Sequence, residues 1–395
     1  MKYCIIIPDG AADFAVPELD ERTPLEVARI PNMDRAAKEG LFGRVNTVPR
    51  RMEPGSDVAT MSLLGYDPKE YYSGRAPLEA ADMGVELDEK EWGFRCNLIT
   101  TDGEILQDFC AGHISTEEAD ELVRVLNEEL GDECIRFHTG TGYRHLMVYE
   151  PPSTLDVQTF PPHQVMGEAL ADILPRGRGS DPLINLMRTW GRVLKDHQIK
   201  EVRRDLGHNP ATSIWLWGQG RRPKMESFEK KYGHSGAAIS AVNLVRGIAR
   251  LIGWDIVEVP GITGYTDTDY GAKGRYAIDA LDRVDLVLVH VEASDEASHD
   301  QDPRAKVRAI EQVDQNIVGP LMAAREDFGE FRLLVLPDHV TSVEKGRHMR
   351  GPVPVAMWGD GVAASTGMPF DETHAAKTDT MWEEGHELMS SFLHT

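Results

Sequence analysis

A near-continuous apolar run at residues 284–290 constrains the fold more than any other segment of this sequence. It reads Val-Asp-Leu-Val-Leu-Val-His, and a strand that is apolar on both faces is typical of a parallel sheet covered by helices. Residues 303–325 follow with apolar side chains at helical spacing, and residues 331–336 form another apolar run. A further strand is predicted at residues 2–7. This alternation predicts an α/β core with a largely parallel sheet flanked by helices.

The middle of the chain, from about residue 92 to residue 217, has a different character. Its predicted elements are strands at 94–100 and 145–149 and a helix at 116–130. Ser115 and Glu118 have the spacing of a capping box at the start of that helix. A chain of 395 residues is too long for one ordinary core. We therefore expect a core of residues 1–88 and 223–395, interrupted by a smaller α+β domain of residues 89–222.

Composition excludes several classes of partner. The formal net charge of −23 at pH 7 argues against nucleic acid, whose phosphates would be repelled. No apolar run approaches the roughly 20 residues that span a bilayer, so we expect no membrane association. The cysteines form no CxxC pair, which favours a reducing cytoplasm over a zinc ribbon or a disulfide framework; they are Cys4, Cys96, Cys110 and Cys134. A small anionic substrate would need arginines or metal ions to offset the negative charge, and the oligomeric state stays open.

Acidic and imidazole residues cluster just beyond the predicted strands, where open α/β sheets bind their ligands. The members of this set are Asp9, Asp295, His299, Asp338, His339 and His348. A single aspartate after a strand is more often a turn residue. Three aspartates and three histidines at strand ends have the ligand types of a catalytic site with two metal ions.

Ser56 is the candidate nucleophile, in the sequence Pro-Gly-Ser-Asp-Val-Ala-Thr. A serine ahead of a helix-favouring run is often an N-cap, and that alternative stays open. A serine at a helix N-terminus also lies in a positive field that favours alkoxide and phosphate, and a bound metal would lower its hydroxyl pKa further. The sequence contains no Walker A motif, which makes an ATP-dependent kinase less favoured.

Seven sequence blocks resemble the cofactor-independent phosphoglycerate mutases of archaeal type, in the alkaline phosphatase superfamily. They are residues 23–28 (TPLEVA), 30–34 (IPNMD), 55–59 (GSDVA), 62–68 (SLLGYDP), 74–80 (GRAPLEA), 337–339 (PDH) and 352–355 (PVPV). The resemblance covers nearly the whole chain and is weakest in the middle. It implies an alkaline-phosphatase-like core with an inserted transferase domain that binds the substrate.

The resemblance also implies a metal arrangement and a reaction. One ion would be held by Asp295, His299 and His348. The other would be held by the Ser56 oxygen together with three further residues, which are Asp9, Asp338 and His339. Two divalent ions are expected, manganese being usual, although this ligand set does not separate it from zinc, cobalt or magnesium. Ser56 would take the phosphoryl group of 3-phosphoglycerate and return it to the 2-hydroxyl, in glycolysis and gluconeogenesis.

The chain departs from the family pattern in the middle domain. His113 stands where an arginine is common, and Thr212 where an asparagine is common. Arg350 follows His348 where an acidic residue is common. The first two departures concern the substrate more than the chemistry. A related phosphotransferase such as a homoserine kinase, or a phosphohydrolase on the same core, is therefore the alternative.

Basic residues of the middle domain are the candidates for binding the carboxylate and phosphate groups of the substrate. Besides His113, they are Arg144 and Arg203, with Arg75 reaching from the core side. Arginine suits both anions because its planar guanidinium pairs with them through two hydrogen bonds. An ordinary surface role is the alternative for each arginine. A third hypothesis, a non-catalytic protein that is stabilised by metal or regulatory, leaves Ser56 unexplained.

Overall fold

The computed structural model describes residues 1–194 and 197–394. Its strands are β1 (Lys2–Pro8), β2 (Leu41–Val45), β3 (Trp92–Thr101), β4 (Leu106–Asp108), β5 (Ile135–Thr141), β6 (Arg144–Tyr149), β7 (Asp156–Gln158), β8 (Arg176–Arg178), β9 (Ser213–Gly220), β10 (Gly236–Ile239), β11 (Asp255–Ile256), β12 (Leu286–Val291), β13 (Phe331–Val335), β14 (Val340–Ser342), β15 (Arg347–Met349), β16 (Val353–Gly359) and β17 (Met381–Trp382).

Its helices are α1 (Pro24–Val27), α2 (Pro31–Glu39), α3 (Ser56–Leu63), α4 (Pro68–Tyr71), α5 (Arg75–Asp82), α6 (Thr116–Leu130), α7 (Leu170–Ile173), α8 (Ser180–Val193), α9 (Gln198–Asp205), α10 (Phe228–Tyr232), α11 (Asn243–Leu251), α12 (Tyr270–Leu281), α13 (Ala293–His299), α14 (Pro303–Val313), α15 (Gly319–Ala323), α16 (Arg325–Phe328), α17 (Glu372–Ala375) and α18 (Leu388–His394).

The chain divides into two compact units. The core unit comprises Met1–Tyr72 and Lys224–Thr395, and the inserted unit comprises Ser73–Pro223. The inserted unit begins earlier than the residue 89 expected from the sequence, because α5 packs on β3 and β9. Apolar side chains of this helix, including Ala76 and Ala80, share a buried cluster with residues of β6.

An eight-stranded sheet forms the centre of the core unit, in the order β11-β10-β12-β1-β13-β16-β2-β17. The pairs from β11 through β13 are parallel, and β16 is antiparallel to both of its neighbours. Every residue of β12 and β13 is buried, as the apolar runs predicted. The predicted α/β class with a largely parallel sheet is confirmed. Because β12, β1 and β13 are parallel, their carboxyl ends lie at one edge of the sheet, which positions the residues that follow them.

The long helix predicted for residues 303–325 is interrupted. After α14 the chain forms a π-helical turn at Asp314–Val318 and then continues as α15. The Asp314 carboxylate accepts hydrogen bonds from the backbone N–H groups of Met33 (2.7 Å) and Asn32 (3.3 Å). These two N–H groups lie in the first turn of α2, and the N-cap residue of this helix supplies no side-chain hydrogen bond. Asp314 therefore satisfies donors that the start of α2 would otherwise leave without partners.

The inserted unit is built on an antiparallel sheet of five strands, in the order β4-β3-β6-β5, and β9 also pairs with β3. Helices α6 and α8 pack on this sheet around a separate apolar core. The helix predicted at residues 116–130 is confirmed as α6, with the capping box of Ser115 and Glu118 formed. Among the residues that the structure describes, no helix is both long and apolar enough to cross a membrane.

Candidate metal and phosphoryl-transfer site

Three strand ends and a neighbouring hairpin position the acidic and imidazole residues of the core unit. Asp9 directly follows β1, and Asp338 and His339 follow β13; all three are buried. Helix α13 begins just after β12 and carries Asp295 and His299. His348 lies on β15, the antiparallel partner of β14. The turn from each strand into its loop thus directs side chains toward the same edge of the sheet.

These six residues form two groups, each with its candidate ligand atoms within 4.8 Å of one another. In the first group, the Asp295 Oδ2 atom lies 3.2 Å from His299 Nε2 and 3.4 Å from His348 Nε2. The two imidazole nitrogens are 3.1 Å apart. The hydrogen bond to Asp295 raises the pKa of His299 to about 9 despite partial burial. Two nitrogens and a carboxylate oxygen that face one another suit a shared cation.

In the second group, His339 Nε2 lies 3.4 Å from both Asp9 Oδ1 and Asp338 Oδ2. Both of these oxygens are buried and have no hydrogen-bond partner. Burial, followed by repulsion from Asp338 and Asp295, raises the pKa of Asp9 well above its usual range. Carboxylate oxygens left without partners in the interior are costly unless a cation compensates them. The donor set therefore fits a divalent ion.

Ser56 joins the second group. It is the first residue of α3, and its Oγ atom donates a hydrogen bond to Asp9 Oδ2 (3.1 Å) and lies 3.3 Å from His339 Nε2. The N-cap residue is Gly55. The Ser56 hydroxyl is therefore not used as a helix cap, the alternative that the sequence left open, and it faces the acidic and imidazole residues from a helix N-terminus.

Three buried residues around this site were missed by sequence reasoning. The Thr341 hydroxyl donates to Asp295 Oδ1 (2.6 Å). His290 Nε2 lies 3.1 Å from Asp9 Oδ2, and the Lys273 ammonium donates to the His290 carbonyl oxygen (2.9 Å). The imidazole of His290 at the end of an apolar strand was a usable signal. Thr341 and Lys273 carried none, since a threonine in a short strand and a lysine in a helix are ordinary residues.

The inserted unit brings together part of the predicted substrate-binding set. Arg75 is the first residue of α5, and Arg144 is the first residue of β6. Burial first, and then the charges of Arg75 and Arg144, lower the pKa of Arg95, although Glu79 acts in the opposite direction. The Arg95 guanidinium lies 4.2 Å from the ring centroid of Trp217. Arg95, which the sequence analysis missed, is thus the buried member of a cationic cluster with Arg75 and Arg144. An arginine within an apolar strand was the available signal.

The other two predicted residues have a different arrangement. Arg203 is buried and donates hydrogen bonds to the carbonyl oxygens of Ala111 and Gly112, both at 2.9 Å, and to Glu118 at 2.6 Å. Its guanidinium is thus engaged by the protein, which does not fit the expected role of gripping substrate. His113 is exposed and follows the segment that Arg203 holds.

The core unit combines a mostly parallel sheet, two metal-suited groups and a serine at a helix start, which is the arrangement of a metal-dependent phosphoryl-transfer enzyme. A family model described as 2,3-bisphosphoglycerate-independent phosphoglycerate mutase matches residues 37–200. A protein of that name, numbered 2, from Methanothermobacter thermautotrophicus is 48% identical, with 98% of this chain and 96% of the relative covered. A probable mutase of this kind from Geobacter sulfurreducens is 43% identical over the full length of both chains. The chain belongs to the family of 2,3-bisphosphoglycerate-independent phosphoglycerate mutases.

Solved structures agree with this assignment. A Pyrococcus horikoshii protein superposes with a TM-score of 0.82 at 28% identity, covering 99% of this chain and 97% of the other. The cofactor-independent phosphoglycerate mutase of Thermoplasma acidophilum superposes with a TM-score of 0.69 at 26% identity, covering 100% and 99% of the two chains. The similarity therefore extends over the core unit and the inserted unit.

Proposed function

We propose that this protein interconverts 3-phosphoglycerate and 2-phosphoglycerate without 2,3-bisphosphoglycerate, through a phosphoserine at Ser56. The observation that carries the proposal is the position of the Ser56 hydroxyl. It lies against Asp9 and His339, within one of two groups suited to a divalent cation. Family membership supplies the substrate class.

We assign one ion to Asp295, His299 and His348. The second is assigned to the Ser56 oxygen and to three residues around it, which are Asp9, Asp338 and His339. Such ions lower the pKa of a coordinated hydroxyl and offset the charge of a transferring phosphoryl group. Manganese is the proposed ion. Removing metal with a chelator and restoring manganese, zinc, cobalt or magnesium separately tests that choice by the activity each one recovers.

The chain's own groups account for the two transfers. In the first transfer, Ser56 Oγ loses its proton and forms a bond to phosphorus as the bond to the 3-oxygen of the substrate breaks, and the released 3-oxygen takes up a proton. In the second transfer, the 2-hydroxyl of the bound glycerate loses its proton and attacks the same phosphorus, and the released Ser56 oxygen takes up a proton. No net proton is gained or lost over the two transfers. No water or nucleotide is consumed. The N-terminal end of α3 favours negative charge on the serine oxygen and on the phosphoryl group in both steps.

We propose that the cationic cluster of the inserted unit binds the carboxylate of the substrate. Arg75 and Arg144 offer guanidinium groups, whereas the charge of Arg95 is balanced by an ion pair with Glu79 at 2.9 Å. Hydrogen bonds between charged groups of this kind are short and strong, and guanidinium geometry matches a carboxylate. His113 is retained as a proposed substrate contact. Arg203 is proposed to position the loop before it.

The test is conversion of 3-phosphoglycerate by the purified, manganese-loaded protein in the absence of 2,3-bisphosphoglycerate. Formation of 2-phosphoglycerate is followed through a coupled enolase, with Ser56→Ala as the inactive control. Release of free phosphate in place of 2-phosphoglycerate would favour a phosphohydrolase. Phosphorylation of homoserine from ATP, with no reaction of phosphoglycerate, would favour the kinase alternative.

A further inference from the structure

One hydroxyl group hydrogen-bonds to a member of each candidate metal group, beside the direct contact of the His339 and His348 rings, whose centroids are 4.1 Å apart. Thr341 Oγ1 lies 2.6 Å from Asp295 Oδ1 in the first group and 3.0 Å from His339 Nδ1 in the second. Thr341 is fully buried. The opposite atoms of its two partners face the candidate ions, since Asp295 Oδ2 contacts His299 and His348, and His339 Nε2 contacts Asp9 and Asp338.

The hydrogen-bonding capacity of a hydroxyl fixes the direction of both contacts. Thr341 has one proton to donate, and an ionised carboxylate only accepts, so the hydroxyl donates to Asp295. The contact with His339 then requires the ring to donate from Nδ1. A neutral His339 with its proton on Nδ1 presents the lone pair of Nε2 toward Asp9 and Asp338. Metal-binding histidines are held in the correct tautomer in this way: the ring nitrogen that does not bind the metal donates its N–H hydrogen bond to a neighbouring group.

The backbone around Thr341 is fixed from three sides. The buried Lys306 ammonium donates to the Thr341 carbonyl oxygen (2.7 Å) and forms an ion pair with Asp13 (2.9 Å). The Thr341 N–H group donates to the carbonyl oxygen of Ala12 (3.0 Å). Across the hairpin, Thr341 is the direct partner of His348, another member of the first group.

Gly10 leaves the space that this arrangement needs. Its backbone is left-handed, with φ of 61°, and a Cβ atom placed there would lie 2.6 Å from Thr341 Oγ1 and also overlap Asp295. Any larger residue would therefore displace the hydroxyl or the carboxylate. The loop after β1 thus contributes both Asp9 and the space occupied by the Thr341–Asp295 hydrogen bond.

We propose that Thr341 is a positioning residue that couples the two metal sites, so that ordering of either group by its ion favours binding at the other. This inference rests on the two-ion site of the proposed function. It predicts positive cooperativity between the ions and a defect at both sites when the hydroxyl is removed.

The test titrates metal-free protein with Mn²⁺ alone and follows binding by calorimetry, without substrate. Thr341→Val keeps the shape of the side chain but lacks the hydroxyl, and we expect both affinities to fall by about 10–100-fold, as is typical when a group that orients metal ligands is lost. Thr341→Ser retains the hydroxyl and should bind within a few-fold of wild type. Thr100→Val is the matched control, because it removes a buried hydroxyl of the inserted unit that bonds the Pro210 carbonyl oxygen at 2.8 Å.

Unchanged affinities in a folded Thr341→Val protein, or a loss at one site only, would overturn the coupling. A second measurement needs no variant: ¹⁵N NMR of the histidine rings in metal-free wild type should show the proton of neutral His339 on Nδ1, and a proton on Nε2 would contradict the assignment. Both readouts are independent of turnover. A protein that binds two ions cooperatively but does not isomerise phosphoglycerate would refute the proposed reaction and leave the coupling intact.

Discussion

Arg203→Ala separates a structural role of this arginine from a role in gripping substrate. The guanidinium connects α9 to the start of α6 and to the loop that precedes His113. Besides its bonds to Ala111, Gly112 and Glu118, it donates from Nε to the Asn209 carbonyl oxygen at 3.3 Å. Alanine removes all four interactions at once, so that the four acceptor groups lose their protein partner and must be hydrated instead.

The expected magnitude follows from burial and backbone conformation. The Arg203 side chain is 6% exposed and that of Glu118 is 31% exposed. Removing one partner of a buried ion pair costs about 3–5 kcal/mol, and the partial exposure of Glu118 argues for the lower end of that range. Ala111 and His113 have left-handed backbones, with φ of 48° and 52°, and such residues persist only where surrounding contacts hold them. We expect the free energy of unfolding to fall by about 3 kcal/mol.

The assay is urea unfolding followed by tryptophan fluorescence, combined with hydrogen exchange at the Gly112 amide, which donates to Asp108 in the same loop. Arg204→Ala is the matched control on the same helix. Its side chain is exposed, and we expect a change below about 0.5 kcal/mol. Unchanged stability and exchange in Arg203→Ala, together with lost turnover, would refute the structural role. That result would restore Arg203 as a substrate contact.

Three further predictions concern the metal, pH and substrate. Asp338→Ala should reduce tightly bound manganese from about two ions per chain to about one, and elemental analysis that still finds two would contradict the ligand assignment. Burial lowers the pKa of His145 to about 4, so between pH 6.5 and 4 the unfolded chain binds a proton that the folded chain excludes, and stability falls as the pH falls through this window. The loss is at most about 3 kcal/mol at about 1.4 kcal/mol per pKa unit, and unfolding curves of His145→Phe should lack this contribution. Arg144→Ala should lower kcat/KM about tenfold to a hundredfold and leave metal binding unchanged. If the kinetics of Arg144→Ala match those of the wild type, Arg144 is not part of the substrate site. Arg178→Ala is the control, because the Arg178 side chain is exposed.

The core sheet was predictable because strands buried on both faces leave apolar runs in the sequence. The positions of Asp9, Asp295, His299, Asp338 and His339 followed from the same pattern, since residues after neighbouring parallel strands lie at one edge of the sheet. His348 lies instead on β15 of a separate antiparallel hairpin, which the apolar runs did not predict. The π-helical turn at Asp314 was not predictable. Asp314, the first residue of that turn, accepts hydrogen bonds from the N–H groups of Asn32 and Met33, a long-range contact that helical spacing does not reveal.

Side-chain partners set the limit of prediction in the inserted unit and around the site. A sequence shows that Arg144 and Arg203 carry charge. It does not show that the N–H groups of Arg203 donate to carbonyl oxygens far away along the chain. Thr341 likewise acquires its position between Asp295 and His339 only when β14, α13 and the loop after β13 come together. The first boundary of the inserted unit, expected at residue 89, was misplaced for a related reason. The apolar face of α5 predicts that this helix packs on a sheet, but not on which of the two larger sheets it packs.

The central claim is that a phosphoryl group passes through Ser56. Manganese-loaded protein should be quenched with acid during turnover of 3-phosphoglycerate, and the peptide that contains Ser56 analysed by mass spectrometry. The account predicts phosphate on Ser56 in wild type, and none in Ser56→Ala or in protein stripped of metal. Steady formation of 2-phosphoglycerate by Ser56→Ala, or by wild type with no phosphate on Ser56 at any quench time, would contradict it.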